Sequence, residues 1–134
     1  MRRSTAQALG LEPLAAVVGH SAYADEPRLF TTAPIGAIRR LLDKTGWSIG
    51  DVDSWEINEA FAVVSMACTK ELGIAPEKVN IHGGACALGH PIGASGARIL
   101  VTLLGALLKT GGKRGIASLC IGGGEATAVA IEVI

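Results

Sequence analysis

The run GIASLCIGGGEATAVAIEV, Gly115 to Val133, closes the chain with two apolar stretches around a glycine triplet. Gly115–Cys120 and Ala126–Val133 have the composition of strands, and the link Ile121 to Glu125 is short enough for a hairpin, so the two are expected to be antiparallel. Just upstream, Ile99, Leu100, Leu103, Leu104, Leu107 and Leu108 recur at helical spacing until Gly111 and Gly112 end the pattern. The same alternation continues toward the N-terminus. Val79-Asn80-Ile81 reads as a brief strand. A helix opening at Asn58-Glu59 runs through Phe61, Val64, Ala67, Cys68 and Leu72 to Gly73, after a strand carrying Trp55 and Ile57. Pro34 suits a first helical turn, Ile35, Ile38, Leu41 and Leu42 follow on one face, and Gly46 suits the residue past the end. Leu14 to Val18 reads as a strand, Tyr23 to Phe30 as a connection, and Ser4 to Leu9 as a short helix. The order β-α-β-α-β-α-β-β predicts an α/β fold: one layered domain over residues 1–134, with a mostly parallel five-stranded sheet, an antiparallel last strand and helices on both faces.

Composition narrows the function. Hydrophobic residues make up 49% of the 134 and charged residues 18%, and twelve Lys and Arg cancel twelve Asp and Glu. Disorder is excluded, as is a generic electrostatic pull toward nucleic acid or an anionic membrane. The three cysteines cannot all pair, MRRSTAQALG has no signal-like apolar core, and the longest apolar run, Ile99 to Leu108, is far short of the roughly 20 residues of a membrane span. These features point to the cytoplasm, with neither nucleic acid nor membrane as partner. The 18 glycines cluster at 83–84, 89–96, 111–115 and 122–124, which specifies backbone paths and not flexible linkers.

In open α/β sheets ligands collect beyond the carboxyl ends of strands. Three such ends carry polar or reactive residues here: Asn58-Glu59, His82 to His90, and Cys120 with its glycines. A thiol, an imidazole and an amide meeting beside glycine N–H groups can activate a carbonyl and hold the oxyanion that forms. Each residue has a plainer reading. Asn58 either caps a helix starting near Ala60 or faces a site. Cys68 and Cys86 read as small apolar core residues, whereas Cys120 stands where a strand meets three glycines. His90, in GHPIG, is the one acid–base side chain of a constrained loop. His20 has no chemical context. The four-residue spacing of His82, Cys86 and His90 suits metal ligands on a helix, but the surrounding glycines and Pro91 argue against a helix, and no metal site is expected. The helix start Gly93 to Gly96 lacks the Gly-Lys-Ser/Thr of a phosphate-binding loop.

The blocks NEAFA (58–62), VNIHGG (79–84), GHPIGASGAR (89–98) and CIGGG (120–124), in this order, resemble the C-terminal half of the thiolase family. FTTAP (30–34) is similar to its acetyl-CoA acetyltransferase branch. The resemblance implies a thiolase-like domain performing the Claisen condensation of two acetyl-CoA to acetoacetyl-CoA and CoA, and the thiolytic reverse. It implies that His90 activates an acylated cysteine and, with a water on Asn58, binds the thioester oxygen. It implies also that Cys120 exchanges the substrate proton, that the Gly122 amide completes a second oxyanion hole, and that Ala60 and Phe61 border the pantetheine arm. CoA thioesters are then substrates, and no cofactor is implied. The acylated cysteine belongs to the family's N-terminal half, and neither Cys68 nor Cys86 has its context. The chain is therefore expected to be inactive alone and to pair with such a half or with its own copy. Two other readings are a non-catalytic domain binding a partner through an apolar face, and a cysteine hydrolase built from Cys120, His90 and Asn58. A broader-specificity 3-ketoacyl-CoA thiolase half is a variant of the first.

Overall fold

A computed structural model describes residues 1–134. In chain order the elements are α1 (Arg3–Ala8), β1 (Ala15–Ala24), α2 (Ala33–Thr45), β2 (Ser54–Ile57), α3 (Ala62–Leu72), α4 (Ala85–Leu88), α5 (Ser95–Thr110), β3 (Arg114–Cys120) and β4 (Glu125–Val133). The helices stop where glycine can turn left-handed: Gly46 ends α2 at φ 71°, Gly73 ends α3 at 66° and Gly111 ends α5 at 75°. Pro34 lies in the first turn of α2, where its missing N–H costs nothing.

The sheet is mixed and four-stranded, in the order β1-β4-β3-β2. This corrects the expectation of five mostly parallel strands. Only β2 and β3 run parallel; β4 is antiparallel to both β3 and β1. Val79-Asn80-Ile81 is not the fifth strand. Val79 forms a single parallel bridge with Trp55, and the chain then turns at Asn80, whose φ of 49° is left-handed. Asn80 takes over the pairing with its side chain: Ile57 N–H donates to Oδ1 and Nδ2 donates to the Ile57 carbonyl, both at 2.9 Å. A side-chain amide thus replaces one rung of the ladder. At the other edge β1 is longer than expected, because Tyr23 and Ala24 pair with Ala126 and Glu125.

Helices cover both faces. α2 and α3 enclose the larger core, in which Ile38, Leu41, Trp55, Ile57, Val64 and Ile116 are fully buried. α5 lies on the opposite face and packs Ile99, Leu103 and Leu107 against Ala117 and Ile131. Burying each large apolar side chain is worth about 1.5–3 kcal/mol, so the α2–α3 face is the main source of stability. Gly115 lets α5 sit close to β3, since a Cβ there would lie 2.8 Å from Leu103 and 2.9 Å from Leu107. Along the free edge of β1, Arg40 and Lys44 of α2 donate to the carbonyls of Ala22 and His20, each at 3.0 Å.

Candidate functional site

Strands β2 and β3 run parallel, so their carboxyl ends lie side by side, and the Asn58 N–H donates to the Ser118 carbonyl at 2.9 Å. Asn58 directly follows β2, Cys120 is the last residue of β3, and Gly122 lies in the turn beyond it. The fold therefore brings these predicted residues to one end of the sheet. His90 reaches the same end from the loop between α4 and α5.

Asn58 and His90 meet directly. The Asn58 side chain is buried, with Nδ2 3.4 Å from His90 Nε2. On the far side of the ring Nδ1 is 2.6 Å from Ser95 Oγ, and that hydroxyl donates to the Pro91 carbonyl at 3.1 Å. Arg98 Nη2 donates to Asn58 Oδ1 at 3.5 Å, and its Nη1 donates to Glu56 Oε2 at 3.1 Å. The residue itself is exposed, so one side of the ring faces open space. The capping alternative for Asn58 is gone: α3 starts at Ala62, behind Phe61, and has no side-chain cap.

Cys120 does not join this network. Its side chain packs in the α2–α3 core, near Cys68, whereas Asn58 is directed toward α5 on the other face. Both His90 nitrogens are engaged by Ser95 and Asn58, so no thiol–imidazole bond of hydrolase type is formed. Burial pushes the Cys120 thiol above its ordinary value and keeps it protonated near neutrality. Gly122 N–H has no acceptor within the chain and remains free to donate. Ala60 packs against the main core, while Phe61 is 60% exposed and contacts Phe30 edge-to-face with centroids 6.3 Å apart.

The remaining chemistry-bearing residues sort differently. Cys68 is a core residue, its thiol pushed up to about 12 by burial and by the neighbouring Cys120. Cys86 is exposed, contrary to the core expectation, because the glycine loop forms one helical turn, α4, that places it outside. His82 and His20 are exposed too, and no group of three or more His, Cys, Asp or Glu is arranged to hold a metal ion.

Sequence reading missed Glu56, Asn80, Ser95 and Arg98, and saw in Glu59 only a polar residue at a strand end. Glu56 is an acidic residue between the buried Trp55 and Ile57, a pattern that in an exposed strand means only alternation; here its side chain is 1% exposed. Burial pushes its carboxyl up to about 7, Arg98 opposing and Glu59 reinforcing the shift. Glu59 accepts from Asn80 Nδ2 at 3.2 Å and from the Cys86 N–H at 3.0 Å, and Gly84 leaves room for its carboxylate. This pair fixes the glycine loop that leads to His90. A groove of about 700 Å³ opens on the other side of Glu59, lined by Val63, Met66, Lys70 and Val79, but neither His90 nor Cys120 lines it.

A family profile described as "Thiolase, C-terminal domain" matches residues 11–133. The chain is 56% identical over 132 residues to the cytosolic acetyl-CoA acetyltransferase of Rattus norvegicus, covering 98% of this chain and 33% of that protein. It superposes on the crystal structure of the Bacillus anthracis acetyl-CoA acetyltransferase with a TM-score of 0.97 and 47% identity, over 100% of this chain and 34% of the other. The Acat5 thiolase from Ascaris suum, solved in complex with coenzyme A, gives 0.94 and 44%, over 99% and 34%. The chain thus spans about a third of the length of these relatives.

Proposed function

The chain belongs to the thiolase family as a C-terminal domain, and from that premise we propose that it supplies the acid–base half of an acetyl-CoA acetyltransferase site. The observation that carries this reading is the His90–Asn58 contact at the carboxyl ends of β2 and β3, the end of the sheet at which Cys120 closes β3 and the Gly122 N–H is left without an acceptor. The reaction is the condensation of two acetyl-CoA to acetoacetyl-CoA and CoA, and its reverse, with CoA thioesters as substrates and no resident cofactor or metal.

The acylated cysteine comes from outside these 134 residues. His90 Nε2 takes its proton, and the thiolate attacks the first acetyl-CoA. The departing CoA sulfur takes the Cys120 proton, and the Gly122 N–H stabilises the oxyanion of the acyl transfer. Cys120, now a thiolate, removes a proton from C2 of the second acetyl-CoA. Its raised thiol pKa suits this step, since a thiolate that binds its proton tightly is the stronger base. The protonated His90 Nε2, with a water held by Asn58, donates to the enolate oxygen; one such donor is typically worth about 2.7–4 kcal/mol. The enolate then attacks the acyl-enzyme carbonyl, the cysteine leaves as a thiolate, and it recovers its proton from His90. Ala60 and Phe61 offer an apolar flank to the pantetheine arm, so that binding of the long tail positions the small acetyl group.

In the cytoplasm the natural partner is a nucleophile-bearing thiolase half. Chain mixed with acetoacetyl-CoA and CoA should give no acetyl-CoA; adding such a half in trans should restore turnover that His90→Ala and Cys120→Ala abolish. Turnover by the chain alone, or rescue indifferent to both substitutions, refutes the proposal. The exposed Val101 and Leu108 on α5, beside an apolar groove of about 240 Å³ with Leu100, Leu104 and Val17, favour a second reading in which the domain only binds a partner. In that case complex formation would survive without any turnover.

A further inference from the structure

The hydrogen-bond chain through His90 has a direction, and groups outside the imidazole set it. Arg98 can only donate, so the atom of Asn58 that faces it is the carbonyl oxygen, and the amide nitrogen is the one facing His90 Nε2. The Pro91 carbonyl can only accept, so the Ser95 hydroxyl hydrogen points there, and Ser95 Oγ is left to accept from Nδ1. Both ends demand the same ring: proton on Nδ1, lone pair on Nε2. A free neutral imidazole prefers the opposite tautomer, so this one is imposed by the surroundings.

We propose that Ser95 and Arg98, on the first turn of α5, are positioning residues that lock His90 as its Nδ1–H tautomer and turn the Asn58 amide toward it, with Glu56 holding Arg98 in place. Three features support the assignment. Ser95, Asn58 and Glu56 are each 1–2% exposed, so the groups that orient the imidazole and Arg98 are themselves shielded from water. Arg98 and Ser95 stand one helical turn apart on the same element, which packs against β2 and β3, so Asn58 and His90 are oriented from one rigid body. The Ser95–His90 bond is the shortest of the set, as expected where a single geometry is enforced.

Its catalytic importance rests on the proposed function, in which Nε2 must be bare to take the thiol proton; the tautomer itself belongs to the chain alone. The test is therefore made first without catalysis. Imidazole nitrogen NMR of the 15N-labelled 134-residue chain, with His20→Gln and His82→Gln to isolate the ring, should show His90 in the Nδ1–H form. Ser95→Ala should shift it toward Nε2–H, Ser95→Thr should retain the wild-type form, and Arg98→Met should allow the Asn58 amide to reorient and the tautomers to mix. In the complemented enzyme Ser95→Ala should then lower kcat about 10- to 100-fold with KM little changed. A wild-type ring in the Nε2–H form overturns the proposal even if no variant folds, as does a tautomer that neither Ser95→Ala nor Arg98→Met moves. A locked Nδ1–H ring in a chain that no thiolase half activates sinks the thiolase reading and leaves this one standing.

Discussion

Glu56→Gln should stabilise the chain in alkaline solution and leave it unchanged in acid. The Glu56 carboxyl lies at the back of the site with one oxygen on Arg98 and the other, Oε1, buried without a partner. Burial pushes its pKa from 4.5 up to about 7. Above pH 4.5 the unfolded chain gives up this proton while the folded chain keeps it, so stability falls as pH rises and levels off past 7. The gap between the two values, at about 1.4 kcal/mol per pH unit, is worth about 3 kcal/mol. Glutamine resembles the protonated carboxyl in shape and cannot titrate. The variant should therefore match the wild type near pH 4.5 and exceed it by about 3 kcal/mol at pH 8. Urea unfolding at pH 4.5, 6, 7 and 8 measures the difference, with equal m-values confirming comparable transitions. Other titrating groups are common to both proteins and cancel. A difference that stays flat across this range, or one that favours the wild type at pH 8, refutes the idea that Glu56 is held against its own ionisation.

Asn80→Ala removes both bonds to Ile57 and the contact with Glu59, and should cost about 2–3 kcal/mol in urea unfolding, with faster amide exchange at Ile57. Gly115→Ala drives a methyl into Leu103 and Leu107 and should lower stability by about 1–3 kcal/mol, a loss that Leu103→Val partly recovers. Asp53 accepts the backbone N–H groups of Arg114 and Lys113, and the Arg114 bond above all holds its carboxyl below the usual range. The stability it adds is present above about pH 4 and fades as pH falls, so the cost of Asp53→Asn in thermal melts, about 1 kcal/mol at pH 7, should shrink as the pH is lowered through the acid range. Timed iodoacetamide labelling read by mass spectrometry should modify the exposed Cys86 first and the buried Cys68 last.

The helices were legible because amphipathic spacing and terminal glycines are local signals; α2 and α5 lie where their leucines and isoleucines place them. The closing hairpin was legible for the same reason. Strand order and direction were not. Val79 and Ile81 have strand-like side chains, but the fate of that segment depends on Asn80 turning back onto Ile57, a contact between distant positions. Counting alternating elements also overstates parallel pairing, since β1 and β4 meet across nearly the whole length of the chain. At the site, Asn58, His90 and Cys120 stood out as reactive residues at strand ends. Ser95 and Arg98 did not, because their importance lies in which way a proton points, a property that exists only once the partners are in place.

The two cations that α2 sets along the rim of β1 have a consequence for the chain's behaviour in company. An incoming strand would need the carbonyls of His20 and Ala22, and Arg40 and Lys44 already occupy them. A stranger pairing there must evict two long charged side chains, so the rim resists recruitment into aggregates. The guard holds only while α2 stays seated. Partial unfolding that lifts this helix bares both a sticky rim and the apolar floor beneath it, which makes aggregation of this domain a sensitive early report of α2 detachment.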